Sequence, residues 1–160
     1  MKDNFDISNL KRPKKINSRT KGNTFERKVC KLLNAKFNTE EFQRSPGSGA
    51  FGTTHTLPAY LQIHGDIITP SNFLWTIECK KGYNKISLGD LFSKDCEIYK
   101  FYQQAERACS KSLKEPLLII QQDRKDVLCV FKSSLYLYFG IKLPHYDLSI
   151  GLFEDFLKVI

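Results

Sequence analysis

The chain has 160 residues, with 25 Lys and Arg against 17 Asp and Glu and a formal net charge of +8. That length suits one domain whose core needs no disulfide support, and 41% hydrophobic residues with 12% aromatics exclude a disordered chain. The basic surplus points to a polyanionic partner such as nucleic acid, while a ribosome or membrane surface attracts basic proteins through the same electrostatics.

The five cysteines, Cys30, Cys79, Cys96, Cys109 and Cys129, are odd in number and include no CxxC pair, so they read as reduced core residues. His55, His64 and His145 are scattered and give no recognisable zinc spacing. No apolar run approaches the roughly 20 residues of a membrane-spanning helix, and the polar first stretch lacks the apolar centre of a signal peptide. The expectation is a cytoplasmic protein with no membrane partner.

Residues 1–22 carry Lys11, Arg12, Lys14, Lys15, Arg19 and Lys21 with few apolar residues, the composition of a flexible basic arm. Such an arm either grips DNA phosphates, with Arg19 and Lys21 among its contacts, or merely solubilises the chain. A single domain then occupies 23–160. Phe25, Val29, Leu32 and Leu33 recur at helical spacing, and Asn23 followed by Glu26 resembles a capping box, which predicts a helix over 24–36. Glu26 shares a face with Val29, Cys30 and Leu33. It is either a functional acid at the edge of the buried stripe or a first-turn acid that complements the helix dipole.

Residues 44–58, RSPGSGAFGTTHTLP, are rich in Gly, Ser, Thr and Pro and predict a loop in which Arg44 and the Gly-Ser-Gly amides can approach phosphate. A strand over 61–69, a turn at 70–72 and a strand over 73–80 form a predicted hairpin. A helix over 88–110, strands over 117–122 and 127–131, a short helix after Ser133 and an amphipathic helix over 149–160 follow. This order describes an α/β fold, a central mixed sheet flanked by helices.

The second hairpin strand places Trp75, Ile77 and Cys79 on one face and Thr76, Glu78 and Lys80 on the other. If paired residue numbers across the hairpin sum to an even value, Asp66 joins Glu78 and Lys80 on their side; an odd sum separates them. Neighbouring carboxylates repel unless a cation lies between them, and hard oxygen ligands without paired thiolates select Mg²⁺ or Mn²⁺. Lys80 would then stand where a phosphate oxygen or a metal-activated water sits. Acid-any-lysine also occurs at Glu26-Arg27-Lys28 and Asp123-Arg124-Lys125, but only Glu78-Cys79-Lys80 lies in a strand preceded by an aspartate on its partner. The bland alternative is an Asp66–Lys80 ion pair on a solvated sheet face.

The ordered segments TKGNTFERKVCKLL, RSPGSG, GD and IECK resemble PD-(D/E)XK nucleases, and among them the archaeal-type and phage Holliday junction resolvases, over roughly residues 20–131. The resemblance implies a restriction-endonuclease-like fold and a homodimeric, Mg²⁺-dependent endonuclease, with Mn²⁺ as substitute, that hydrolyses phosphodiesters of branched DNA. It implies Glu26, Asp66, Glu78 and Lys80 as the catalytic set. Asp66, Glu78 and the Cys79 carbonyl would hold the metal, with Glu26 joining through water. Arg44 and Ser48 match a loop near the DNA, Lys81 adds a DNA contact, and Gln103 or Gln104 occupies the place of a glutamine found in other branches. Gly65 stands where the superfamily has proline, and the stretch 49–66 is longer than in compact archaeal enzymes. The alternatives are a restriction-type or repair nuclease acting on duplex, ends or flaps, and a DNA-binding module without chemistry.

Overall fold

Asn17 decides where the first helix begins. Its backbone is extended and its side-chain oxygen accepts from the Arg19 N–H at 3.0 Å, so α1 runs Ser18–Phe37. Asn38 ends the helix in the left-handed conformation. The helix therefore starts well before residue 24. Asn23 is an interior residue rather than a cap, and Arg19 and Lys21 belong to the helix rather than to an arm. The computed structural model describes residues 17–46, 64–110, 112–136 and 139–160. The rest of the expected arm, and Ser48, lie outside the described residues.

Arg44 is not in a loop. It forms the short strand β1, Gln43–Arg44, which pairs antiparallel with β2, Ile67–Ile68. β2 pairs with β3, Trp75–Lys81, so the predicted hairpin is present but its first strand has shrunk to two described residues. The 3-10 turn Gly89–Phe92 precedes α2, Glu97–Cys109, where a single helix over 88–110 was expected. Asp90 accepts from the Ser87 N–H and hydroxyl at 2.6 and 2.8 Å, a local turn that competes with helix continuation.

β4, Glu115–Gln121, runs parallel to β3, and β5, Val127–Lys132, returns antiparallel to β4. The helix expected after Ser133 is one 3-10 turn, Ser133–Leu135. Two short strands follow, β6 at Ile141–Lys142 and β7 at Leu148–Leu152, before the helix α3, Phe153–Val159. The first half of the predicted C-terminal helix is thus a strand. Leu148 and Ile150 alternate with Ser149 and Gly151, a period-two pattern that pairs against β5.

The sheet order is β1-β2-β3-β4-β5-β7-β6, a seven-stranded mixed sheet. One face packs Phe25, Val29 and Leu33 of α1 and Phe153 and Phe156 of α3 against Ile77, Leu117, Ile119 and Phe131. The other packs Ile98, Tyr99 and Tyr102 of α2 against Leu118, Ile120, Val130 and Ile150. Leu117 to Ile120 are buried on both faces, the unbroken apolar run expected of a central strand. Each such side chain contributes about 1.5–3 kcal/mol of burial, which makes β4 a firm backing for β3. All five cysteines are free and buried. No described helix is long and apolar enough to cross a membrane.

Candidate active site

Ile67 pairs with Ile77, so the hairpin register is the even one. Glu78 and Lys80 project together toward α2, and the Lys80 ammonium donates to Glu78 Oε1 at 2.7 Å. Asp66 leaves the regular ladder. Its N–H donates to the Ile77 carbonyl at 2.8 Å, and its Oδ2 accepts from the Cys79 N–H at 2.8 Å, so the carboxylate lies along the edge of β3. In an extended strand the N–H and C=O of one residue face the same way, so the Cys79 carbonyl opens onto the edge that Asp66 occupies.

Gly65 makes this offset possible. Its φ of 77° is left-handed, and a Cβ there would run into the Ile77 carbonyl oxygen. Proline, fixed near a φ of about −65°, is incompatible with that backbone. Ser45 fastens the same point from the other side: its N–H donates to Asp66 O at 2.9 Å and its hydroxyl to Gly65 O at 3.0 Å.

Glu26 approaches from the α1 face. It lies well inside the helix, is buried, and accepts from Arg44 Nε at 2.5 Å, while Arg44 Nη2 donates to Asn23 Oδ1 at 2.9 Å. Its position excludes a first-turn capping role. The helix gives Asn23 and Glu26 neighbouring places on one face, and β1 delivers the guanidinium to both.

Three carboxylates, Glu78 from the α2 side, Glu26 from the α1 side and Asp66 along the strand edge, thus face one another electrostatically. Burial and then the Asp66 charge raise Glu26 above the ordinary 4.5, against the opposing pull of Arg44. Burial, then Asp66, also raise Glu78, with Lys80 opposing and Glu26 adding to the rise. The Asp66–Lys80 pair on a solvated face is not what forms: Lys80 is bonded to Glu78, and Glu78 is buried. Both Gln103 and Gln104 are exposed on α2, and it is Gln104 that donates to Glu78 Oε1 at 2.8 Å and so reaches the site. The Lys80 ammonium lies 5.6 Å from the centre of the Phe101 ring, a second α2 contribution.

The expected DNA-contacting residues divide. Arg44 is engaged with Glu26 and Asn23. Lys81 points to the α1 side, donates to Gln121 Oε1 at 3.2 Å and Gln122 O at 3.1 Å, and lies 3.6 Å from Asp123. Lys21 pairs with the same Asp123 at 3.1 Å, and Arg19 is exposed on the first turn of α1. Asp123, in an acid-any-lysine triplet outside the site, is the hub that ties α1 to the ends of β3 and β4. Only the fold shows this, because its partners are scattered through the sequence.

Among the described residues no three His, Cys, Asp or Glu side chains are arranged as a ready metal cage. Mg²⁺ does not require one. It keeps several waters and is commonly bound by one or two carboxylates with substrate oxygens. Asp66 and Glu78 with the Cys79 carbonyl are a hard oxygen donor set of that kind. Burial holds the Cys79 thiol well above its ordinary value and pushes Cys30 up to about 11, so neither offers a thiolate. The mutual repulsion of the acids is a further feature that a divalent cation would relieve.

Comparison with known proteins decides the family. The family described as "Phage putative PDDEXK endonuclease" matches residues 17–150, a span that holds Glu26, Asp66, Glu78 and Lys80. The chain belongs to this family. Membership in the phage PDDEXK endonuclease family supports nuclease activity, and the mixed sheet flanked by helices is consistent with the fold of that family. The chain is also 29% identical over 157 residues to Protein D14 of Escherichia phage T5, spanning 89% of this chain and 92% of that protein. No solved structure matches.

Proposed function

We propose that this phage-type PDDEXK endonuclease is a Mg²⁺-dependent enzyme, with Mn²⁺ as substitute, that cleaves four-way DNA junctions as a homodimer. The observation that carries the reading is Asp66 hydrogen-bonded across the hairpin to Cys79, beside Glu78 and Lys80, with Glu26 converging from α1. Asp66, Glu78 and the Cys79 carbonyl would hold the ion, with Glu26 joining through water. When bound, the ion supplies Lewis acidity and a water acidic enough to attack phosphorus.

The remaining work falls to side chains. Lys80 carries a positive charge to the edge of the carboxylate cluster, where the phosphoryl group gains negative charge as the bond to the attacking oxygen forms. Glu78 holds Lys80 there, and Gln104 fixes Glu78 by sharing the same oxygen. Arg44 neutralises Glu26 and, standing on β1 at the rim, can exchange that carboxylate for a DNA phosphate. The +8 net charge of the chain supplies the sequence-independent attraction.

The test compares a synthetic four-way junction with a linear duplex of the same arm sequence, in Mg²⁺ and in EDTA. Cleavage of the junction, lost in Asp66→Asn and Glu78→Gln while binding in Ca²⁺ persists, is the expected result. Preferential cutting of the duplex, ends or flaps replaces the junction assignment by a restriction or repair role. Wild-type protein inert on every DNA in both Mg²⁺ and Mn²⁺ makes the chain a binding module.

A further inference from the structure

Beyond the acids, one aromatic side chain is placed with unusual care. Tyr83 lies three residues past Lys80, is 42% exposed, and has a φ of 55°. A bulky side chain in the left-handed region is a costly backbone outlier, retained only where the surroundings enforce it. Here the enforcement is visible. Gly82 N–H closes the end of the β3–β4 pairing by donating to Gln121 O at 2.9 Å, and the Tyr83 carbonyl accepts from Ile86 N–H at 3.1 Å and Gln122 Nε2 at 3.2 Å. The ring packs edge-on against Phe101 at 4.5 Å between centroids, and Phe101 in turn lies under the Lys80 ammonium. Tyr83, Phe101 and Lys80 therefore form one continuous aromatic and cationic shelf beside the carboxylates.

The surroundings of the shelf favour a polyanion. The turn from Asp123 to Asp126 carries acids and bases in equal number; Lys21 and Lys81 share the single Asp123 carboxylate, and with Lys85 next to Asn84 they leave a positive surplus around the turn. Asn84 locks that turn to the shelf through two bonds with Asp123, at 3.0 and 2.7 Å. Phosphate binding alone explains the lysines but not an exposed ring held in a costly backbone conformation. A base inside duplex DNA has both faces covered by its neighbours, whereas a base at a branch point has lost the neighbour on one side and offers a free face for stacking.

We propose that Tyr83 is a specificity-determining residue that stacks on the exposed face of a nucleobase at the branch point, next to the scissile phosphate. This rests on the DNA nuclease reading above and names the substrate feature it selects. The experiment measures equilibrium binding in Ca²⁺ to a four-way junction carrying 2-aminopurine at the crossover, and to a linear duplex of the same sequence. Tyr83→Asn removes the ring while suiting the left-handed backbone; Tyr83→Phe keeps the ring. Base–aromatic stacking of about 1–3 kcal/mol converts to an affinity loss of about 5- to 150-fold. The expected result is that loss for Tyr83→Asn on the junction only, with the 2-aminopurine fluorescence change abolished and Tyr83→Phe behaving as wild type. Equal losses on both DNAs, or unchanged affinity and fluorescence response, overturn the inference. Mg²⁺ cleavage by wild-type protein is run in parallel. Cleavage with no effect of Tyr83→Asn on binding sinks the stacking role alone, no cleavage of any DNA sinks the nuclease reading, and absence of wild-type binding to either DNA sinks both.

Discussion

Replacing Asp66 by Asn removes one negative charge from the edge of β3 while leaving an oxygen able to accept from the Cys79 N–H. Asp66 raises both Glu26 and Glu78, so its charge is felt from two sides. For carboxylates about 6 Å apart at an effective dielectric of about 20, each like-charge pair costs about 3 kcal/mol before the cations act. Arg44 and Lys80 already offset much of that repulsion, and exchanging a charged acceptor for a neutral one at Cys79 gives back about 1 kcal/mol. The net expectation is a metal-free protein more stable by about 1 kcal/mol, a rise in Tm of about 2–4 °C. Mg²⁺ should raise the Tm of wild-type protein and leave the variant unmoved, since ligand binding stabilises only the state that binds it. Thermal melts in EDTA and in Mg²⁺ read both effects. A variant that melts several degrees lower in EDTA, or that responds to Mg²⁺ like wild type, would refute the picture of a cluster strained by its own charge.

Further consequences concern neighbouring groups. Arg44→Ala leaves Glu26 buried without its cation and should cost about 1–3 kcal/mol; adding Glu26→Gln should recover a good part of it, and denaturant melts of the two singles and the double check the coupling. Gly65→Ala puts a Cβ against the Ile77 carbonyl in a left-handed backbone and should cost about 2 kcal/mol or more, with Mg²⁺-dependent cleavage reduced further than stability alone explains; a variant with wild-type melting and activity contradicts the placement of Asp66. Glu26 and Glu78 are held above the ordinary 4.5, so the folded chain binds more protons than the unfolded one between 4.5 and their native values. Their contribution to metal-free stability is therefore complete below 4.5 and is lost as pH rises through the native values. Melts in EDTA at pH values rising from 4.5 should show a slope that Glu78→Gln makes less negative; an identical slope in the variant counts against the assignment.

Much of the site could be read from residue order because strand alternation is a short-range rule. Trp75 to Lys80 fix which side chains share a face whatever surrounds them, and the only open choice was the register, which the Ile67–Ile77 pairing settles. The small displacement of Asp66 into the strand edge was not legible, since it arises from the backbone of Gly65 and its close approach to Ile77. Asn23 and Glu26 imitate a capping box and so shift the predicted start of α1 inward, whereas Asn17 is the residue whose side chain bonds the first turn. Asn23 and Glu26 sit together for Arg44 instead. Arg44 itself lay hidden in a composition typical of loops, as a two-residue strand leaves no periodicity to detect. Leu148 to Leu152 satisfied both a helical and an alternating pattern, and pairing with β5 decided between them. Gln104 and Asp123 act through contacts distant in sequence, which no local signal reports.

Ser45 grips Gly65 and Asp66 with its amide and its hydroxyl, so the two ends of the intervening stretch are buttoned together at its base. A pull on the chain at either end then strains these two bonds first and leaves the Asp66 carboxylate in place. The aspartate is in this sense set on a fixed mount, clamped from the β1 side as well as from within the hairpin.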